Sequence, residues 1–272
     1  MEIHVDTLIK RVEGYCNLDS EWHPDDSLEL FLENKDRVSA YYKSGPNIHY
    51  KCNSLGYRCD ELESYKKRNF ILVFGCSYTE GVSLHEKDVW HSIIGKELGL
   101  PVMNLGMAGI GPDLVALNTI QYFKTKLPKP KHVIYQWPSP LRKSFAYDEK
   151  YFHCLLPDQY DDHIYEAHKR DSTWYATRFL TRREHAHWDF YQYVNMCDAL
   201  WKNDGITPIH WALDTDIIDP ENITKIRDQI IMAQTTMIDK GRDCSHPGRE
   251  CHKELVTHLK EHDDVQKIYN MA

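Results

Sequence analysis

Four short, largely apolar runs stand out along the chain: Phe70 to Phe74, Val102 to Leu105, His132 to Trp137 and Ile206 to Leu213. Continuous runs of this length, rather than alternating ones, predict strands buried on both faces. The stretches between them carry a longer period. Trp90, Ile93, Ile94 and Glu97 to Leu98 fit one helix. Pro112 stands at a favoured first helical position, and Leu114, Leu117, Ile120 and Phe123 follow it spaced by threes. Two further helices are expected, from about Ala186 to Lys202 and across Glu254, Leu255, Val256 and Leu259. Strands that alternate with helices in this way predict an α/β fold, a parallel sheet with helices on both faces.

Two stretches break the alternation. Residues 1–68 are polar, aromatic-rich and weakly periodic, and are expected to form an N-terminal extension packed on a core domain spanning 69–272. Residues 143–185 are dense in Tyr, His, Asp and Arg. A long segment between a core strand and the next core helix predicts a lid over a site. No internal repeat or low-complexity linker divides the chain.

Composition narrows the function. The formal net charge is −8 and the pI about 6.0, against the basic face that a nucleic-acid binder presents. No apolar run approaches the ~20 residues that span a bilayer, and the charged start MEIHVDTLIKRVEGYC has no signal-peptide core. The default expectation is a cytoplasmic protein whose eight cysteines are reduced thiols. Nothing in the sequence reports an oligomeric state.

The sharpest chemical signal is ILVFGCSYTEG, residues 71–81. An apolar strand runs directly into a serine flanked by glycines, which let the backbone turn tightly. The carboxyl ends of strands in an open α/β sheet form the crevice where ligands bind, so Ser77 is a candidate nucleophile. A serine hydroxyl needs a base to take its proton. Asp243-Cys244-Ser245-His246-Pro247 follows the last predicted strand. An Asp three residues before a His can reach the imidazole Nδ1–H and leave Nε2 for the serine. The bland alternatives are a capping serine and a polar turn.

These blocks together resemble the SGNH/GDSL hydrolase family over roughly residues 53 to 265. Gly75 to Gly81 resembles the family's Gly-Asp-Ser-x-(Ser/Thr)-x-Gly, with Cys76 where Asp usually stands. Asn104-Leu105-Gly106-Met107-Ala108-Gly109 resembles the second block, Gly109 matching the oxyanion-hole glycine. Asp243, His246 and Pro247 match the final Asp-x-x-His-Pro, and Asn53 to Arg58 resembles a segment that often precedes the first block. The third block departs. Where the family supplies an oxyanion Asn, this chain reads Tyr135-Gln136-Trp137-Pro138-Ser139-Pro140-Leu141-Arg142, with Ser139 at the Asn position.

The resemblance implies a three-layer α/β/α fold with a parallel, flavodoxin-like sheet, and a Ser-His-Asp triad working through an acyl-enzyme without cofactor or metal. The oxyanion hole would be drawn from the N–H groups of Ser77 and Gly109, with Ser139 or Gln136 in place of the missing amide. The implied substrate is an acyl ester of a small molecule or carbohydrate. Two other readings stay open. Cys244, His246, Cys251 and His252, with His185 and His187, carry zinc-type ligands in poor spacing. A non-catalytic carbohydrate-binding protein could use Tyr151, Phe152, Tyr160, Tyr165, Trp174 and Tyr175 to stack on sugar rings.

Overall fold

The computed structural model describes residues 8–11, 13–38, 40–43, 48–125, 127–147, 151–155, 183–213, 230–233 and 237–270. In chain order they form β1 (Asp19–Ser20), α1 (Leu28–Asn34), α2 (Ala40–Lys43), β2 (Tyr50–Lys51), β3 (Ile71–Gly75), α3 (Ser77–Glu80), α4 (Trp90–Leu98), β4 (Val102–Gly106) and α5 (Pro112–Lys124). There follow β5 (His132–Trp137), β6 (Lys143–Tyr147), β7 (Tyr151–Leu155), α6 (Arg183–Asn203), β8 (Ile209–Leu213), β9 (Ile230–Ala233), α7 (Arg249–Leu259) and α8 (Asp263–Asn270).

The main sheet has five strands in the order β4-β3-β5-β8-β9, all pairs parallel. Successive side chains of a strand point to opposite faces, and here both faces are buried. Leu72 and Phe74 of β3, with Tyr135 and Trp137 of β5, join the core beneath α5 and α6, which contribute Leu114, Val115, Phe190, Val194 and Trp201. Ile71 and Val73, with Ile134 and Trp211, join the opposite core under α4, α7 and α8, built from Trp90, Ile94, Leu255, Val256 and Ile268. Two cores on one sheet make the fold three-layer α/β/α. Each large side chain buried this way stabilises by about 1.5–3 kcal/mol, which is why runs apolar at every position, not every second one, form the strands.

The last expected strand begins later than its apolar pattern suggests. Gly205 adopts φ +77, and Ile206 N–H returns to Trp201 O at 2.9 Å. Ile206 thus closes the end of α6 as the apolar residue after a left-handed glycine, and β8 starts only at Ile209. Strand β9 and helix α8 lie outside the pattern read from the sequence. The first is a four-residue edge strand, and the second buries only Val265 and Ile268.

From the N-terminal segment, Leu8, Ile9, Tyr57, Leu62 and Tyr65 belong to the same core as β3 and α5. Tyr57 Oη donates to Ile9 O at 2.7 Å and accepts from Asn118 Nδ2 at 2.9 Å. Of the expected lid, the described parts are the antiparallel pair β6–β7 and, at its end, the first residues of α6. Residues 156–182, and with them Tyr160, Tyr165, Trp174 and Tyr175, lie outside the described residues, as do the side chains of Tyr151 and Phe152. Among the described residues no helix is long and apolar enough to cross a membrane.

Candidate active site

The strand order places the switch point between β3 and β5: from β3 the chain crosses to β4 on one side, then returns over β3 to β5 on the other. Ligands of open α/β sheets bind outside the carboxyl ends of strands at such a point. Ser77 stands there, two residues beyond the end of β3, as the first residue of α3. The first N–H groups of a helix have no partner within it. Among the described residues no hydrogen bond occupies the Ser77 N–H or the Gly109 N–H.

Packing around this turn explains its sequence. A Cβ on Gly75 would lie 2.1 Å from Thr79 Oγ1 and 2.9 Å from Gln136 O, and one on Gly106 would lie 2.6 Å from Glu80 N. Both glycines let α3 sit directly on the strand ends. Gly75→Ala should therefore destabilise the fold by roughly 1–3 kcal/mol through overpacking, read from the midpoint of urea unfolding. An unchanged midpoint would show that α3 shifts without cost.

Gln136 makes contacts that the sequence did not show. Its Oε1 accepts from Cys76 N at 3.0 Å, Cys76 Sγ at 3.0 Å and Thr79 Oγ1 at 3.2 Å, and its Nε2 donates to Trp137 O at 2.8 Å. The amide is buried and braces the serine turn from behind. A side chain holding three donors on its carbonyl is fixed as a scaffold for the serine turn. Asn104 is also a brace, since its Nδ2 donates to Thr79 O at 2.9 Å. His91 Nε2 reaches the same oxygen at 2.8 Å, and burial pushes its imidazole down to about 3, so it donates as the neutral ring. Ser139 is half-buried in the turn after β5, its Oγ accepting weakly from Leu141 N at 3.4 Å. Gly109 is exposed with φ +76, and an added methyl there would meet nothing within 4 Å.

Asp243 and His246 are brought together. His246 Nδ1 lies 2.5 Å from Asp243 Oδ2, while Asp243 Oδ1 accepts from the N–H groups of Ser245 and His246, both at 3.0 Å. Burial alone would raise the Asp243 carboxyl, but the His246 hydrogen bond and charge and the two backbone donors hold it below its ordinary value. The carboxylate stays ionised, fixes the Nδ1–H tautomer and leaves Nε2 to accept a proton. This loop and the serine turn share one edge of the sheet. The rings of Tyr78 and His246 meet edge to face at 6.5 Å, and Asp243 N donates to Ser83 Oγ at 3.2 Å.

The zinc-type residues have other partners. His252 Nδ1 accepts from Trp90 N at 3.1 Å, and Cys251 Sγ donates to Asp239 O at 3.1 Å. Burial, with the neighbouring His91 and His246, pushes His252 down to about 3. The side chain of His185 lies outside the described residues. Among the described residues no three His, Cys, Asp or Glu side chains are grouped to hold a metal ion.

Several contacts that build this edge could not be read from the sequence. The Glu80 carboxylate, fully buried, meets Arg11, His23 Nε2 at 2.8 Å and Ala108 N at 2.5 Å. Burial would raise its carboxyl, yet Arg11 and His23 hold it down at about 2. The buried Arg58 guanidinium donates to Gly81 O at 2.5 Å and Leu84 O at 2.8 Å, clamping the turn after α3.

No protein-family model and no curated protein sequence matches the chain. Among solved structures it is similar to a Corynascus thermopiles (Myceliophthora fergusii) carbohydrate esterase family 2 enzyme with a carbohydrate binding domain. That match has 14% identity and a TM-score of 0.43, covering 74% of this chain and 67% of that one. It is also similar to an acetyl xylan esterase from the rumen bacterium Butyrivibrio proteoclasticus, at 16% identity and TM-score 0.37, over 71% of this chain but only 63% of that protein's length. A third match is a member of the lipolytic protein G-D-S-L family from Veillonella parvula, at 11% identity and TM-score 0.31, covering 71% and 97% of the two chains. These neighbours are esterases and lipolytic proteins.

Proposed function

We propose that the chain is a serine hydrolase that cleaves a short-chain acyl ester, carried on a small molecule or a carbohydrate. The observation that carries this reading is the Asp243–His246 pair, oriented at 2.5 Å on a loop bonded to the turn that follows Ser77. In this mechanism His246 Nε2 takes the proton of Ser77 Oγ as the oxygen attacks the ester carbonyl. The developing oxyanion faces the N–H groups of Ser77 and Gly109. His246 then hands its proton to the departing alcohol, and the acyl group remains on Ser77. Water, deprotonated by the same imidazole, releases the acid and restores the serine. Asp243 remains a carboxylate throughout and stabilises the imidazolium.

The test is covalent labelling. A fluorophosphonate should modify Ser77, identified by peptide mass, and the label should disappear in His246→Gln. A well-folded wild-type protein that takes no label and hydrolyses no p-nitrophenyl ester would replace this reading with that of a binding protein.

The altered third block yields a second expectation. With Gln136 committed to the serine turn, Ser139 is the remaining side chain at the family's amide position. Ser139→Asn should raise kcat on activated esters by up to ~10-fold, because an added donor aimed at the oxyanion favours the transition state over the ground state. Steady-state kinetics on p-nitrophenyl acetate check this. An unchanged kcat in a normally folded variant would mean that position 139 does not face the reacting carbonyl.

A further inference from the structure

Among the described residues, the loop bearing Asp243 and His246 before α7 carries an isolated antiparallel bridge between Lys240 and Pro247 but no helix or strand, yet a catalytic imidazole must be held to within roughly 0.5 Å of its productive position. The neighbouring side chains supply what regular structure does not. Arg242 N donates to Ser83 O, and Asp243 N to Ser83 Oγ, each at 3.2 Å. Gly241 packs so closely that a Cβ there would lie 2.7 Å from Ser83 Cβ. The N–H of Ser83 in turn donates to Tyr50 Oη at 2.8 Å, and Tyr50 Oη donates to Asp26 Oδ2 at 2.5 Å. Asp26 closes the ring by accepting from Arg242 Nε at 3.1 Å and Nη2 at 2.7 Å. All four members are buried, Asp26, Tyr50 and Ser83 completely.

Two features of this ring point to registration of the loop rather than to stability alone. Ser83 holds φ +67, a left-handed conformation that costs energy for any residue with a side chain, and such outliers gather where function over-determines them. Glycine would take that φ freely but could not offer the Oγ that accepts from Asp243. Asp26 and Arg242 are a desolvated ion pair, and burying charges is weak evidence for stability because lost hydration offsets the attraction. The guanidinium is fixed further by Glu21 O at 2.7 Å and by the Trp22 ring, 4.0 Å from its carbon.

We propose that Asp26 and Ser83 are positioning residues: the ring Asp26–Tyr50–Ser83–Arg242 sets the Asp243–His246 loop in register with the serine turn. Asp26 and Tyr50, from the N-terminal segment, thereby help to complete the catalytic edge. The catalytic consequence rests on the hydrolase reading of Ser77 and His246, whereas the registration of His246 can be measured without it.

Two variants and two readouts test the idea. Asp26→Asn removes the charge and keeps the shape, while Ser83→Gly relieves the backbone strain and removes Oγ. The first readout is the rate at which a fluorophosphonate labels Ser77. The second is the downfield NMR signal of the His246 Nδ1 proton, assigned by its loss in His246→Gln. Ser83→Gly should keep or raise the thermal midpoint, yet label roughly 10- to 100-fold more slowly, as expected for a misplacement of about 1 Å. It should also lose or shift the His246 signal, and on esters kcat should fall with KM little changed. Asp26→Asn should act in the same direction, and if it fails to fold, Ser83→Gly alone decides. A folded Ser83→Gly that labels at the wild-type rate with an unmoved His246 signal overturns the proposal. A wild-type protein that takes no label removes the hydrolase reading, and the NMR signal then still judges the registration.

Discussion

Under the proposed function, Ser77→Ala should lower turnover of short p-nitrophenyl esters by about 10³-fold or more, while thermal unfolding of the variant should overlay that of the wild type. That size is expected from losing the proposed nucleophile, which would leave only the residual catalysis of binding and oxyanion stabilisation. The unchanged fold follows from what Ser77 contributes. Its backbone carbonyl accepts from Gly81 N at 2.9 Å, a bond that alanine keeps, and alanine is the better helix former at the start of α3. Steady-state kinetics with calorimetry check both halves. Undiminished turnover in a folded variant would move the chemistry away from Ser77.

The largest effect on stability is expected at Glu80. Removing its carboxylate in Glu80→Ala leaves the Arg11 guanidinium buried without a counter-charge, beside His23. Breaking a buried pair from one side costs roughly 3–5 kcal/mol. The same group sets a pH dependence whose sign is fixed by its displacement from the ordinary 4.5 to about 2 in the folded chain. A folded carboxyl held below its unfolded value stabilises fully above the unfolded value and loses that contribution as pH falls through the folded one. Wild-type stability should therefore decline between about pH 4.5 and 2, and Glu80→Gln, which has no proton to take up there, should show a shallower decline. Urea unfolding across this range checks it. Identical slopes in the two proteins would mean that Glu80 is not the group being protonated.

Much of the fold was legible because burial on both faces leaves a signature inside each strand. Phe70 to Phe74, His132 to Trp137 and the period-three run after Pro112 predict elements that the structure contains within a residue or two. The exceptions have local physical causes. Ile206 reads as strand but closes α6 after Gly205, and β9 is too short to stand out from its surroundings. The candidate site was legible where its members are neighbours in sequence. Ser77 lies between glycines, and Asp243 and His246 are three apart, so local spacing alone lets carboxylate meet imidazole.

What the sequence by itself determined, then, is the parallel sheet, the serine at the end of its first long strand, and the Asp-x-x-His pair. Only the tertiary structure decided what holds them. Gln136 has the chemistry of an oxyanion donor, but packing against Cys76 and Thr79, 57 to 60 positions earlier, commits its amide to the serine turn. Arg11 and His23 reach Glu80 across 69 and 57 positions, and Asp26 meets Arg242 across 216. A helix or strand repeats over a few residues and so writes its period into the chain. A buried charge needs only one partner, anywhere the fold brings it, and so leaves no spacing to read.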